Sequence, residues 1–389
     1  MKNKEKKRIA FIPPSGIFVQ QDGFFKRISK YFANKKEIET YLIIIDSTEN
    51  HQFNTNMFEY FIKVNTFEDL LLYLKKEKFD IVFHRSWMHR YKFAGDLSRE
   101  VDNLIVYIKD WMEEIPREKY KFLYTTDNDY DGIKDIFNNS KLILSHYDTR
   151  YTNKLAKKYN ISAKKFIFFP EYCNEENFRV RENIIYNQNF TRLLWAGGIA
   201  PSTAPSSISS DKRFFQDFTK IAKNTIFFDM FVLEKNYNQI FDENNKSLWQ
   251  DWLYEHNFNK NFNIKQGSTK PLDLFLDYDF ALASGLTYKK DDLSLYNFCE
   301  AVVSKVAFYL ELGIPLVVNK KWKAIADMVK KNNIGIVISN KDFKNLDTIL
   351  KISKKEYNLL VQNIYNYRVN YTYNDQTMKP ILKILERVN

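Results

Sequence analysis

The chain has 389 residues, 44% of them hydrophobic, which excludes a disordered polymer and is enough for two packed domains of ordinary size. The net charge of +11 suits an anionic partner: a nucleic acid, an anionic membrane or a phosphorylated substrate. The lysines are scattered between acids, with no nucleic-acid-binding signature and no zinc spacing, so no nucleic-acid partner is expected. Two cysteines, Cys173 and Cys299, cannot make a disulfide framework, which points to a reducing compartment. No apolar run reaches membrane-spanning length, and M-K-N-K-E-K-K-R leads into a strand rather than a signal-peptide core.

In chain order, Arg8 to Ile12 reads as a first strand, broken by Pro13-Pro14-Ser15-Gly16. Gly23 to about Asn34 reads as a helix. Strand, glycine-containing loop and helix open a Rossmann-like unit, which makes Gly16 a candidate for the ligand loop. Tyr41 to Ile45 is a second strand. Thr66 to Lys76 is an amphipathic helix with Phe67, Leu70, Leu71 and Leu74 on one side. Asp80 to His84 is the next strand, closing on Arg85-Ser86-Trp87. Ligands of open parallel sheets sit beyond the carboxyl ends of strands, so His84 and Arg85 stand where chemistry can occur. Leu104 to Glu114 is expected as a helix and Lys121 to Thr126 as a strand. That strand ends in Asp127-Asn128-Asp129, a D-x-D string that reads first as turn chemistry; Asp127 remains a candidate base by its place. Leu142 to Ser145 and Lys165 to Phe169 are strands flanking a helix from Thr149 to Tyr159, and Arg179 to Gln188 is the expected linker.

The second half repeats the same kind of unit. Phe190 to Trp195 is a strand followed by Gly197-Gly198, a Ser/Pro/Thr-rich loop and a helix from Phe214 to Ala222. Backbone N–H groups of such a turn suit a diphosphate, and Lys212 and Arg213 stand near the helix start. Strands follow at Thr225 to Val232, Asn263 to Gly267 and Asp279 to Ala283, with helices at Leu248 to His256 and Pro271 to Leu276. Glu300 to Leu312 fits a helix with Val303, Val306, Ala307 and Leu310 on its apolar face, stopped by Gly313. Ile314 to Val318 is a strand, Ala324 to Asn333 a helix closed by Gly335, and Ile336 to Ile338 a strand. Helices are expected near Phe343 to Ile352, Lys355 to Val369 and Thr377 to Val388. The expected domains are residues 1–180 and 189–370, with 371–389 a helix that crosses back to the first.

The stretch from Asn297 to Gly335, a helix running into G-x-P-strand-helix-G-strand, resembles the nucleotide-sugar half of the two-Rossmann-domain (GT-B) glycosyltransferases. The large retaining family has two glutamates in this stretch. Glu300 falls on the first and Phe308 on the second. Lys305, Tyr309, Leu310, Gly313 and Pro315 resemble the bacterial glucosyltransferase and galactofuranosyltransferase group, which reads H-K-x-x-x-Y-L-x-x-G-x-P; Ser304 stands in place of its His. The run from Ser145 to Phe178 resembles the end of the N-terminal domain of these enzymes.

The resemblance implies an α/β fold with two Rossmann-like domains facing a central cleft. It implies transfer of a sugar from a nucleoside-diphosphate sugar, a UDP-sugar in the first instance, to a glycan, lipid-linked or protein acceptor in bacterial surface-glycan synthesis. No cofactor and no metal are expected. The implied catalytic residues are Glu300, His84 and Asp127. The implied donor-binding residues are Gly16, Gly197, Gly198, Gln266, Gly267, Glu300, Lys305 and Tyr309. Within that set Glu300 accepts from sugar hydroxyls, Lys305 supplies a cation, Tyr309 a hydroxyl or ring, and the backbone at Gln266-Gly267 meets the base. Phe308 in the place of a glutamate leaves a non-catalytic partner subunit of the same fold open as a second reading, and a nucleotide-sugar epimerase is a third. The expected location is cytoplasmic; Lys26, Arg27 and Lys30 beside Phe18, Phe24 and Phe25 suit peripheral contact with the inner membrane face, and the alternative is that Phe24 and Phe25 pack inside the first domain with the basic residues only solubilising.

Overall fold

Runs of apolar, β-branched residues build two parallel sheets. The computed structural model describes residues 6–13, 23–45, 57–86, 91–109, 132–181, 186–187, 189–199, 201, 215, 217–222, 225–267, 272–284 and 299–387. Gly16, Phe18, Asp127, Lys212, Arg213 and the strand expected at 121–126 lie outside the described residues. Among the described residues, those up to Tyr172 and from Thr372 onward form one unit, and Cys173–Tyr371 forms the other.

The first unit holds strands β1 (Lys7–Ile12), β2 (Ile38–Ile45), β3 (Tyr60–Val64), β4 (Ile81–Ser86), β5 (Leu104–Ile108), β6 (Leu142–Ser145) and β7 (Phe166–Phe168). They pair in the order β3-β2-β1-β4-β5-β6-β7, every pair parallel. Its helices are α1 (Gly23–Ala33), α2 (Phe67–Glu77), α3 (Tyr91–Glu100), α4 (Gly132–Asn139) and α5 (Thr149–Tyr159). Parallel strands covered on both faces read as continuous apolar runs, and β1 shows it: Ile9, Ala10, Phe11 and Ile12 are all buried. Helix α2 opens on a capping box in which Thr66 and Asp69 each accept the other's backbone N–H.

Three expectations change here. Residues from Leu104 form β5, not a helix. All five residues of Leu104–Ile108 are buried between β4 and β6, and a run that short and that apolar carries no period to separate helix from strand. Strand β3 and helices α3 and α4 were not expected; β3 is an edge strand with half-exposed Phe61 and Ile62, so its apolar signal is weak. The membrane-facing reading of Phe24 and Phe25 gives way to the packed one. They are 1% and 0% exposed, and Phe24 stacks on Tyr107 at 4.5 Å. They belong with Ile28 and Phe32 to the apolar side of α1, while the Arg27 guanidinium donates to Glu171 Oε1 at 2.5 Å.

The second unit holds β8 (Thr191–Gly197), β9 (Ile226–Val232), β10 (Phe262–Gln266), β11 (Phe280–Leu282), β12 (Leu316–Asn319) and β13 (Gly335–Ile338), ordered β10-β9-β8-β11-β12-β13 and parallel throughout. Residues 217–221 are helical, followed by α6 (Glu234–Phe241), α7 (Lys246–Phe258), α8 (Lys305–Leu312), α9 (Lys323–Asn332), α10 (Leu346–Ile349) and α11 (Lys354–Asn370). Trp195, Phe218, Phe228, Trp252 and Val317 lie in one buried cluster. The cap of α9 is Asn333, at φ 48°, and not Gly335, which already belongs to β13. The last helix, α12 (Asp375–Arg387), returns to the first unit. Met378, Ile381 and Leu385, on one helical face, enter that unit's core, and Asp375 accepts from Tyr31 and Lys35 at 2.7 Å each.

Asp279, just before β11, ties that strand to β8. Its buried carboxylate accepts the Arg192 N–H at 2.7 Å, and its carbonyl accepts from the Tyr357 hydroxyl at 2.8 Å. Burial pushes this carboxyl up from 3.8 to about 6, against the opposing Arg192 amide and the Arg181 charge. The folded state therefore binds the proton more tightly than the unfolded one, so the contribution to stability is full below pH 3.8 and is lost as pH rises through about 6. In Asp279→Asn that loss should vanish. Wild-type stability relative to the variant should fall by about 2–3 kcal/mol between pH 4 and pH 7, as measured by urea unfolding. A difference that stays flat with pH would contradict this.

Candidate donor-phosphate site

In the second sheet the strand order reverses between β8 and β11. Doubly wound sheets take ligands outside the carboxyl ends of the strands that flank such a reversal. Strand β8 ends there in Trp195-Ala196-Gly197. Gly197 has φ 154°, which side chains other than glycine rarely adopt. A Cβ at Gly197 would lie 3.1 Å from Trp195 Cη2 and 3.5 Å from Lys305 Nζ. Gly198 is exposed, and a Cβ there would meet only Asn236 Oδ1 and Leu233 Cδ1, at 3.5 and 3.6 Å. Asn236, from α6, accepts the Ile199 N–H at 3.3 Å and steadies the far side of the turn.

Helix α8 faces this turn. It begins at Lys305, whose ammonium lies 4.2 Å from the centroid of the Trp195 ring, a cation–π contact beside Gly197. One turn later, Tyr309 is fully buried, and its hydroxyl accepts the Ala196 N–H at 2.8 Å. Burial holds this phenol well above its ordinary range. Tyr309 thus lies under the turn, where the sequence suggested a hydroxyl or ring offered to the ligand. Val306, Ala307, Leu310 and Leu312 are buried around it, so α8 has little exposed surface beyond Lys305 and Phe308.

Glu300 does not share that helix. It sits in a turn, Ala301 forms an isolated bridge, and Val302 to Ser304 are not helical. The Glu300 carboxylate is 3% exposed, with Lys323 Nζ of α9 at 3.5 Å from Oε1. A buried carboxylate beside a half-exposed ammonium offers both acceptor and donor to a polar ligand.

Phe308 takes no polar role. Its ring meets Phe275 edge-on at 5.2 Å, and Phe275 lies 4.5 Å from Phe231. Gly267, just past β10, backs onto the same cluster. A Cβ there would come within 2.8 Å of Phe231 Cβ, and its N–H donates to Val232 O at 2.9 Å. Gln266 is half-buried at the strand end. An aromatic wall therefore stands where the sequence comparison had looked for a second glutamate. At the end of β12, buried Asn319 accepts the Lys321 N–H through Oδ1 at 2.9 Å, and its amide donates to Asn340 Oδ1 at 2.9 Å, closing the loop before α9.

The expected residues thus divide. Gly197, Gly198 and Lys305 come together, and Tyr309 supports them. Glu300 pairs with Lys323, and Gln266 and Gly267 lie at the end of β10. His84 lies in the first unit, 0% exposed in β4, with Nδ1 donating to Ile12 O at 2.9 Å and its ring 5.2 Å from Phe93. It is a core histidine, because β4 is buried along its whole length between β1 and β5. Trp195, Asn236 and Lys323 were not singled out from the sequence. The ring of Trp195 is the one with a readable signal, as the last aromatic before a Gly-Gly turn. Among the described residues, no group of three or more His, Cys, Asp or Glu is placed to hold a metal, and no helix is long and apolar enough to cross a membrane.

Two doubly wound parallel units with a glycine turn at the second switch point are the architecture of the GT-B glycosyltransferases. Solved structures agree on the fold. HepE of Anabaena, in complex with UDP-glucose, matches with TM-score 0.65 at 8% identity, over 98% of this chain and 100% of that one. A glycosyltransferase from Rickettsia africae matches with TM-score 0.65 at 11% identity, over 98% of each chain. Sucrose-phosphate synthase of Thermosynechococcus elongatus matches with TM-score 0.60 at 10% identity, again over 98% of each. No curated protein matches the sequence. The chain has the GT-B fold, and its residues 243–379 match the family described as "Glucosyltransferase 3-like, C-terminal domain".

Lys305→Met keeps the packing over Trp195 and removes the charge. Affinity for UDP should fall more than tenfold, since a charge-assisted contact contributes about 1.5–3 kcal/mol. Glu300→Gln should instead lower turnover of an intact donor while leaving UDP affinity nearly unchanged. Calorimetry separates the two. Unchanged affinity in Lys305→Met would remove the lysine from the phosphate, and a large loss in Glu300→Gln would place that carboxylate at the nucleotide or in a structural role.

Proposed function

We propose that this chain transfers a hexosyl unit from a UDP-sugar to a glycan, lipid-linked or protein acceptor in bacterial surface-glycan synthesis, acting at the cytoplasmic side. The observation that carries the reading is the Gly197-Gly198 turn with the Lys305 ammonium beside it, at the carboxyl end of β8. Sugar transfer leaves negative charge on the departing diphosphate. Backbone N–H groups of a tight turn and a fixed cation stabilise that charge without having to reorganise. The buried Glu300 carboxylate accepts from sugar hydroxyls, and the adjacent Lys323 ammonium offsets its charge. The glucosyltransferase 3-like match and the UDP-glucose held by the Anabaena relative in fold support a hexose carried on UDP. Peripheral membrane contact has less support than the sequence offered, since Phe24 and Phe25 are core residues; Lys26 and Lys30 remain exposed.

Phe308 and its aromatic neighbours favour one second reading, a non-catalytic partner that binds nucleotide without turning over. A panel of UDP-, GDP- and CMP-sugars distinguishes the readings. Slow release of UDP from one UDP-sugar without acceptor, accelerated by a glycan or glycopeptide acceptor, is the expected result. Binding with no release under any acceptor would favour the partner subunit. Interconversion of free UDP-sugars would make the chain an epimerase.

A further inference from the structure

We propose that Tyr309 is a positioning residue that sets the diphosphate-binding turn from beneath, through the amide of Ala196. The inference rests on the reading of that turn as the diphosphate site. Strand β8 is unevenly supported. On its β9 side the register continues to Gly197 opposite Val232, whereas on its β11 side the register ends at Leu194 opposite Ala281. Beyond that point, among the described residues, the β11-side backbone of β8 pairs with no strand. An amide there must find another acceptor, because a buried N–H left unsatisfied is strongly unfavourable. The Ala196 N–H finds the Tyr309 hydroxyl at 2.8 Å, from a side chain with 0% exposure.

The spacing of α8 gives this contact a consequence. Lys305 and Tyr309 are four residues apart and so lie on one face of the helix. The first reaches over Trp195, at 4.2 Å, and the second reaches under Ala196. The helix grips two successive residues of β8, immediately before Gly197. The positions of the turn amides and of the cation are therefore fixed by one rigid element. A loosened Ala196 would displace the amides relative to the ammonium, and phosphate affinity depends on both pointing at one place.

Tyr309→Phe tests this, since it keeps the buried ring and deletes only the acceptor. Amide hydrogen exchange at residues 196–199 should accelerate tenfold or more, with Leu193 and Leu194 unchanged. Affinity for UDP and for inorganic pyrophosphate should fall five- to tenfold by calorimetry, while that for uridine, by ligand-observed NMR, should not move. Unchanged exchange at 196–199 would overturn the proposal, and so would a parallel loss of uridine affinity, which marks a general core defect. If wild type binds UDP and the variant binds it equally well, this inference alone fails. If wild type binds neither UDP nor pyrophosphate, the diphosphate reading itself fails and takes the inference with it.

Discussion

Strand β8 runs past the point where β11 stops pairing with it, and the rest of the candidate site depends on how that unsupported end is held. A parallel sheet exposes backbone at the carboxyl ends of its strands, and those ends are useful to a ligand only when rigid. Here rigidity comes from α8. Its buried tyrosine satisfies the Ala196 amide and its lysine lies on the Trp195 ring. Asn236 of α6 secures the next residue but two, through the Ile199 N–H. The turn between these anchors keeps Gly198 exposed, with only Asn236 Oδ1 and Leu233 Cδ1 near the place of a Cβ.

Much of the sheet architecture was legible because buried parallel strands require little beyond apolar, β-branched runs. The strands beginning near Arg8, Tyr41, Ile81, Leu142, Thr191, Ile226 and Leu316 all announce themselves in this way. The same simplicity explains why structures at 8–11% identity share the fold: the constraint falls on residue class and turn placement, not on identity. It also explains the error at Leu104–Ile108. Five consecutive apolar residues satisfy a strand and a helix alike, and only the neighbours β4 and β6 decide.

The site was legible in spacing but not in direction. Lys305 and Tyr309 stand one helical turn apart, and that was visible. Which way each side chain goes depends on what packs around α8, and α8 is buried on nearly every side, so its sequence has no polar face to orient it. Glu300 was misplaced for a related reason. Gly313 marks the end of the helix at φ 71°, but no capping side chain marks its start, since Ser304 makes no such bond. The apolar period of Val303, Val306, Ala307 and Leu310 therefore runs on past the helix start, and Glu300 falls in the turn before it. Phe24 and Phe25 show the reverse case: with Ile28 and Phe32 they form one apolar stripe, a pattern that already favours a core over a membrane.

The most direct test of the central claim is a structure of the chain with UDP bound. The diphosphate should lie against the Gly197-Gly198 turn, within hydrogen-bond distance of a turn amide and of the Lys305 ammonium, with Tyr309 still bonded to Ala196 underneath. A diphosphate bound elsewhere, with the Gly197-Gly198 turn and Lys305 making no contact to it, would contradict the account.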